Sequence, residues 1–158
     1  MGQSSHHNTF QQQLLPTQAE IPGKRRLPQQ RLQWLEQRLL QLSGQSVLVA
    51  MHHPPFTTGI GHMDDIGLRE GADALEAIVA RHPQVERVIC GHLHRAIQVR
   101  FGGTIAATVP SPAHQVRLDL APDAASAWML EPPGFALHAL PAGGRLVSHT
   151  VASGQYAG

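Results

Sequence analysis

Two apolar runs in this 158-residue chain each end in histidines. Val47-Leu48-Val49-Ala50-Met51 leads into His52 and His53. Val85-Glu86-Arg87-Val88-Ile89-Cys90 leads through Gly91 into His92, Leu93 and His94. Imidazole is the commonest metal ligand and the side chain whose charge changes near neutral pH. Three imidazoles at one place suit a borderline cation such as zinc, manganese, iron or cobalt. Such a cation makes a nucleophile of bound water near neutral pH. That chemistry requires residues 40 positions apart to share one location.

The intervening sequence supplies a way. Short length and β-branched content make both runs strands, the first buried on both faces. Pro54 and Pro55 end it. A glycine-bearing loop (57–67) follows, and Ala72, Leu75, Ile78 and Val79 then mark a helix over about 70–81, closed by Pro83. A strand-helix-strand crossover makes the strands parallel, and nearly always right-handed. Parallel strands share one C-terminal edge, where ligands of open α/β sheets bind. His52, His92 and His94 are expected to meet there, with Leu93 turned into apolar contacts and Gly91 allowing a sharp turn. Strand alternation points His53 away from His52, toward phosphate, the rear of the ligands or a packing role.

Other segments frame this unit. Residues 1–22 are polar and weakly periodic, and read as a flexible lead-in with His6 and His7 in solvent. Lys24, Arg25 and Arg26 read as a solvated surface. Pro28 and the spacing of Leu32, Leu35, Leu39 and Leu42 predict a helix over about 28–42, stopped by Ser43-Gly44. Beyond His94, short strands are expected at 97–101, 104–108, 115–120, 127–131, 135–140 and 145–151, in a meander. Gly102-Gly103 suits a two-residue hairpin. Trp34 and Met129 read as core, Cys90 as a buried thiol, His82 as a helix C-cap, and His138 and His149 as structural or solvated. Asp64 and Asp65 read as turn or capping residues.

Composition sets outer limits. Twelve basic and 11 acidic residues leave a formal charge of +1, so no strong field favours nucleic acid or a membrane surface. With 42% hydrophobic and 15% charged residues, the chain is not of disordered type. Few aromatics mean an aliphatic core. One cysteine excludes an internal disulfide framework and a multi-cysteine zinc site. No apolar run approaches a membrane span, and the start shows no signal pattern, so a cytoplasmic setting is expected.

Val-Leu-Val-Ala-Met-His-His-Pro-Pro (47–55), followed by Cys-Gly-His-Leu-His (90–94), resembles the calcineurin-like metallophosphoesterases. The nearer match is the branch of class III cyclic nucleotide phosphodiesterases and glycerophosphodiesterases. Trp34-Leu35-Glu36, Ile21-Pro22-Gly23-Lys24, Pro112-Ala113-His114-Gln115-Val116 and Glu131-Pro132-Pro133-Gly134-Phe135 also resemble segments of that branch. The resemblance implies part of a four-layer αββα sandwich of α/β class, a β-α-β unit followed by a β-rich meander. It implies two divalent transition metal ions (Mn, Fe, Zn or Co), His52 and His92 on one and His94 on the other. It further implies hydrolysis of a small phosphodiester, with His53 behind the ligands and His62 and His114 near the substrate.

The resemblance has a gap. The Asp-x-His, Gly-Asp and Asn-His-(Asp/Glu) motifs that complete the family's centre belong upstream, and no aspartate precedes His52. The chain therefore looks like a C-terminal half, residues 23–152, with a tail at 153–158. An open strand edge, and an oligomer or a partner supplying the other half, are expected. Two rival readings are a non-catalytic metal-binding subunit and a mononuclear three-histidine zinc hydrolase.

Overall fold

Leu35 and Leu39 are fully buried on one side of α1 (Gln29–Gln41), as their four-residue spacing requires. A computed structural model of the chain describes residues 11–15, 18–21 and 24–155. Pro28 opens α1 in extended backbone. At the other end, Gln84 Nε2 donates to the Leu39 carbonyl at 2.8 Å, giving a partner to one of the carbonyls a helix end leaves open. α2 is the short helix Gly61–Asp65. α3 (Ala72–Arg81) buries Leu75, Ile78 and Val79. None of the helices among the described residues is long and apolar enough to cross a membrane.

The strands in chain order are β1 (Gln11–Leu15), β2 (Gln18–Ile21), β3 (Lys24–Arg26), β4 (Val47–Met51), β5 (Leu68–Glu70) and β6 (Val85–Cys90). They continue as β7 (Ile97–Phe101), β8 (Thr104–Thr108), β9 (Gln115–Val116), β10 (Trp128–Met129), β11 (Gly134–Ala139) and β12 (Val147–Ala152). A five-stranded sheet has the order β1-β4-β6-β8-β7. Its first four members run parallel and β7 lies antiparallel to β8. β4 and β6 are the expected parallel pair, joined through α3.

The register of that pair shifts once, between Val47 and Leu48. One residue of β6 bulges there, which re-phases the strand. Val85, Val88 and Cys90 thereby enter the same core as Val47, Val49 and Met51. Leu35, Leu39, Leu75 and Val79 close that core from the helices. Cys90 is a buried thiol, pushed up to about 12 by burial. His82 is the C-cap of α3. The Gly102-Gly103 hairpin joins β7 to β8, with φ of 54° and 87°, the positive pair that such a turn needs.

Several elements depart from the sequence expectations. Residues 11–15 and 18–21, read as lead-in, form β1 and β2. β1 covers the β4 edge expected to be open, because parallel pairing engages backbone groups and needs no apolar pattern. His6 and His7 lie outside the described residues. The basic run is β3, between β2 and β5, and the 57–67 loop contains α2. Strands 115–120 and 127–131 shorten to two residues each. Trp34 and Met129 are exposed rather than core, because the aliphatic side chains of α1 and α3 fill the interior without them.

The hairpin yields a test. A Cβ on Gly102 would lie 2.7 Å from the Glu76 carbonyl and 2.9 Å from the Ala80 amide, whereas one on Gly103 meets open space. Both positions share the left-handed backbone, so only Gly102 adds a clash against α3. Gly102→Ala is expected to cost about 2 kcal/mol more than Gly103→Ala, read from urea unfolding midpoints.

Candidate metal centre

β4 ends at Met51, and the chain bends at His52 and His53. Strand alternation stops with the strand, so the two imidazoles need not diverge. Their ring centroids are 4.7 Å apart, edge to face. His92, arriving from β6, lies 5.2 Å from His52 and 4.6 Å from His53 by the same measure. One ligand nitrogen from each of His52, His53 and His92 lies within 4.8 Å of the others. His53 is 6% exposed, His92 is half-buried and His52 faces solvent.

The sequence expectation joins His94 to His52 and His92 and turns His53 away. The structure brings His53 into the cluster and holds His94 against His114. Backbone conformation decides this. His92 and His94 both have positive φ, 72° and 58°, instead of the extended geometry expected. The Leu93 amide donates to the Gly91 carbonyl at 2.9 Å, closing a three-residue turn around His92, the strained hand of a γ-turn. Leu93 is buried with Ile60, Met63 and Val116. Its burial fixes the turn that carries the two flanking histidines. Gly91 does not have the positive φ. A Cβ there would sit 3.4 Å from His52 Nδ1, in ordinary contact.

His94 is positioned from the other side. Its Nδ1–H donates to the His114 carbonyl at 3.1 Å, and the two rings lie 4.7 Å apart. Nε2 of His94 then carries the lone pair. His62 lies on α2, half-buried, its Nδ1 buried without a hydrogen-bond partner. Asp64 accepts from the Thr58 and Gly59 amides at 2.9 Å each and from the Thr58 hydroxyl at 2.8 Å, a loop-tying role. Asp65 is exposed. His138 meets the Ser148 hydroxyl at 2.7 Å, and His149 is exposed.

Electrostatics keep the cluster neutral. Burial, then the neighbouring imidazoles and Arg25, lower His53 to about 4. Burial, then His52, Arg25 and His94, lower His92 to about 4 as well. His52 is lowered by burial, Arg25 and His94. The three imidazoles are therefore in the unprotonated form at neutral pH, the form that ligates a cation. His92 Nε2 is buried without a hydrogen-bond partner, a cost that ligation would remove. The donors fit one borderline divalent cation. Among the described residues, no carboxylate joins them.

Comparison with known proteins places this geometry. A probable glycerophosphodiester phosphodiesterase of Arcobacter nitrofigilis is 38% identical over 132 residues, covering 84% of this chain and 48% of that protein. The chain is a partial homologue of the glycerophosphodiester and cyclic nucleotide phosphodiesterases. A probable cyclic nucleotide phosphodiesterase of Synechococcus is 38% identical over 109 residues, 69% of this chain and 42% of its own. The 3′,5′-cyclic adenosine monophosphate phosphodiesterase of Escherichia coli K12 is 29% identical over 86 residues, 54% of this chain and 31% of its own. The chain thus spans about half or less of these relatives. No protein-family model matches it. A dimetal phosphatase structure from Danio rerio aligns with 53% of this chain and 27% of its own, at TM-score 0.45 and 23% identity, too loose a likeness to argue from. These relatives are the class III metallophosphoesterase branch that the two histidine motifs resemble.

Two measurements follow for this class III segment. The left-handed backbone at residue 92 favours glycine. Metal-free His92→Gly is expected to be about 1 kcal/mol more stable than His92→Ala, by chemical denaturation. The lowered histidines set a pH dependence. Between about 4 and 6.5 the unfolded chain binds more protons than the folded one. In a chelator, stability is therefore full above about pH 6.5 and falls as pH drops toward 4, read from thermal melting.

Proposed function

We propose that this chain carries the histidine part of a metal-dependent phosphodiesterase site acting on a small phosphodiester, a cyclic nucleotide or a glycerophosphodiester. The observation that carries the reading is the meeting of His52, His53 and His92 where β4 and β6 end. Those three hold the cation, and the names of the partial relatives supply the substrate class. A bound divalent cation supplies charge for the phosphoryl oxygens and an acidified water. Arg25 adds fixed positive charge beside the imidazoles, which its effect on all three reflects, and favours an anionic ester over a neutral one.

The two-cation arrangement needs more than these side chains. Neutral imidazoles cannot offset the charge of two dications, and the cluster holds no aspartate or glutamate among the described residues. In this reading His94 Nε2 serves a second cation once carboxylates come from a partner polypeptide or another segment. The missing carboxylate also favours a second reading, in which the chain binds one metal ion without turnover.

Calorimetry with zinc or manganese, paired with hydrolysis of bis(p-nitrophenyl) phosphate, separates these. Metal binding with turnover supports the proposal, two equivalents marking the two-cation centre and one equivalent the mononuclear three-histidine hydrolase, and His92→Ala is expected to abolish both binding and turnover. Binding without turnover supports the second reading. Turnover that survives His92→Ala overturns the site.

A further inference from the structure

Away from the histidine cluster, β11 and β12 form a two-stranded sheet of their own among the described residues. Their register runs without a bulge from Gly134 opposite Ala152 to Ala139 opposite Val147. A hairpin with no third strand is marginal in water. Its two faces differ. Ala136, His138 and Ser148 are half-buried on one face, where the His138 ring meets the Ser148 hydroxyl at 2.7 Å. Phe135, Leu137 and Val147 are exposed on the other. The outer edge of β12 lacks the devices that keep an edge from pairing. Val147-Ser148-His149-Thr150-Val151-Ala152 has no lysine, arginine, carboxylate, proline or bulge. By contrast β7, the outer antiparallel strand of the five-stranded sheet, carries the exposed Arg100.

We propose that β12 pairs antiparallel with β12 of a second copy of this chain, about a two-fold axis at His149, so that a four-stranded sheet crosses the dimer. The order of residues in the strand selects this occupant. Val147-Ser148-His149-Thr150-Val151 reads alike from either end: valine, hydroxyl, imidazole, hydroxyl, valine. A two-fold interface demands such self-complementarity, residue i meeting j while j meets i. Centred on His149, the pairing sets Val147 against Val151 of the second copy and Ser148 against its Thr150. Hydroxyl pairs and β-branched pairs are favoured cross-strand neighbours. A slip of one residue would instead set Ser148 against Val151 and mix the two faces. The outer edge of β11 has no such symmetry, since centring it on Leu137 opposes Phe135 to Ala139 and Ala136 to His138. The pairing gives Val147 and Val151 an aliphatic neighbour across the axis and the hairpin its missing third strand.

Light scattering on the purified chain is expected to give twice the monomer mass. Cysteine cross-linking reads the register. Opposed residues of an antiparallel pair have Cα atoms about 4.5–5.5 Å apart, within disulfide reach. His149→Cys is therefore expected to give a disulfide-linked dimer under mild oxidation. Thr150→Cys, at a position that is also exposed, sets its two copies about 7 Å apart along the strand alone, and is expected to run as a monomer on a non-reducing gel. Cys90 is buried and does not compete. Val147→Lys charges the edge at an exposed position. It is expected to give a monomer that melts as cooperatively as the parent. The proposal is overturned by a monomeric parent, by an assembly larger than two, by linking at 150 as fast as at 149, or by a dimer that survives Val147→Lys. None of these measurements involves a metal or an ester, so their outcome is independent of the hydrolysis assay.

Discussion

The site depends on the parallel pairing of β4 with β6. Met51 stands opposite Cys90 in that ladder, so the histidines that follow each strand emerge at one level. The pairing continues one step beyond the strands, where the Gly91 amide donates to the His52 carbonyl at 3.1 Å. A Cβ at position 91 would meet the His52 ring at ordinary contact distance, so the backbone hydrogen bond is what holds residue 91 against His52. Without this ladder His52 and His53 would be two polar residues ending an apolar strand.

A second constraint acts on the other pair. Leu93 is 1% exposed, and burying such a side chain contributes about 1.5–3 kcal/mol. That is of the same size as the cost of holding non-glycine residues at positive φ, on the order of 1–3 kcal/mol each. The small core of Ile60, Met63, Leu93 and Val116 therefore stabilises a backbone that His92 and His94 would not adopt alone. α2 contributes Met63 to that core, and Asp64 ties α2 to residues 58–59. The loop after His53 thus supports the turn after β6, though neither lies near the other in sequence.

Much of this is legible in the order of the amino acids. β4, β6, β7 and β8 fall where apolar runs and glycine pairs place them, because short strands bounded by proline and glycine carry their own limits. The rim holding His52 and His92 follows from crossover topology. The place of His53 beside His52 and His92 is not legible. It rests on the turn that carries His92, a backbone choice forced by the burial of Leu93, and no local pattern announces it. Nor is β1, since Gln11-Gln12-Gln13 has no strand pattern and joins the sheet through main-chain groups. Trp34 misleads because size suggests burial, whereas leucines already fill the inner face of α1. The ring contact of His114 with Trp128 requires β9 and β10 to pair, a contact between residues a dozen apart.

Cys90 ends β6 two residues before His92, yet its thiol stays protonated because burial pushes it up to about 12. A thiolate at that strand end would have given the rim a soft sulfur donor, drawing copper(I) and similar ions. It would also have exposed the rim to peroxide, which attacks thiolates in preference to thiols. Packed under the sheet, the sulfur does neither. The cluster keeps an all-nitrogen donor set, with no thiolate at the rim for an oxidant to attack.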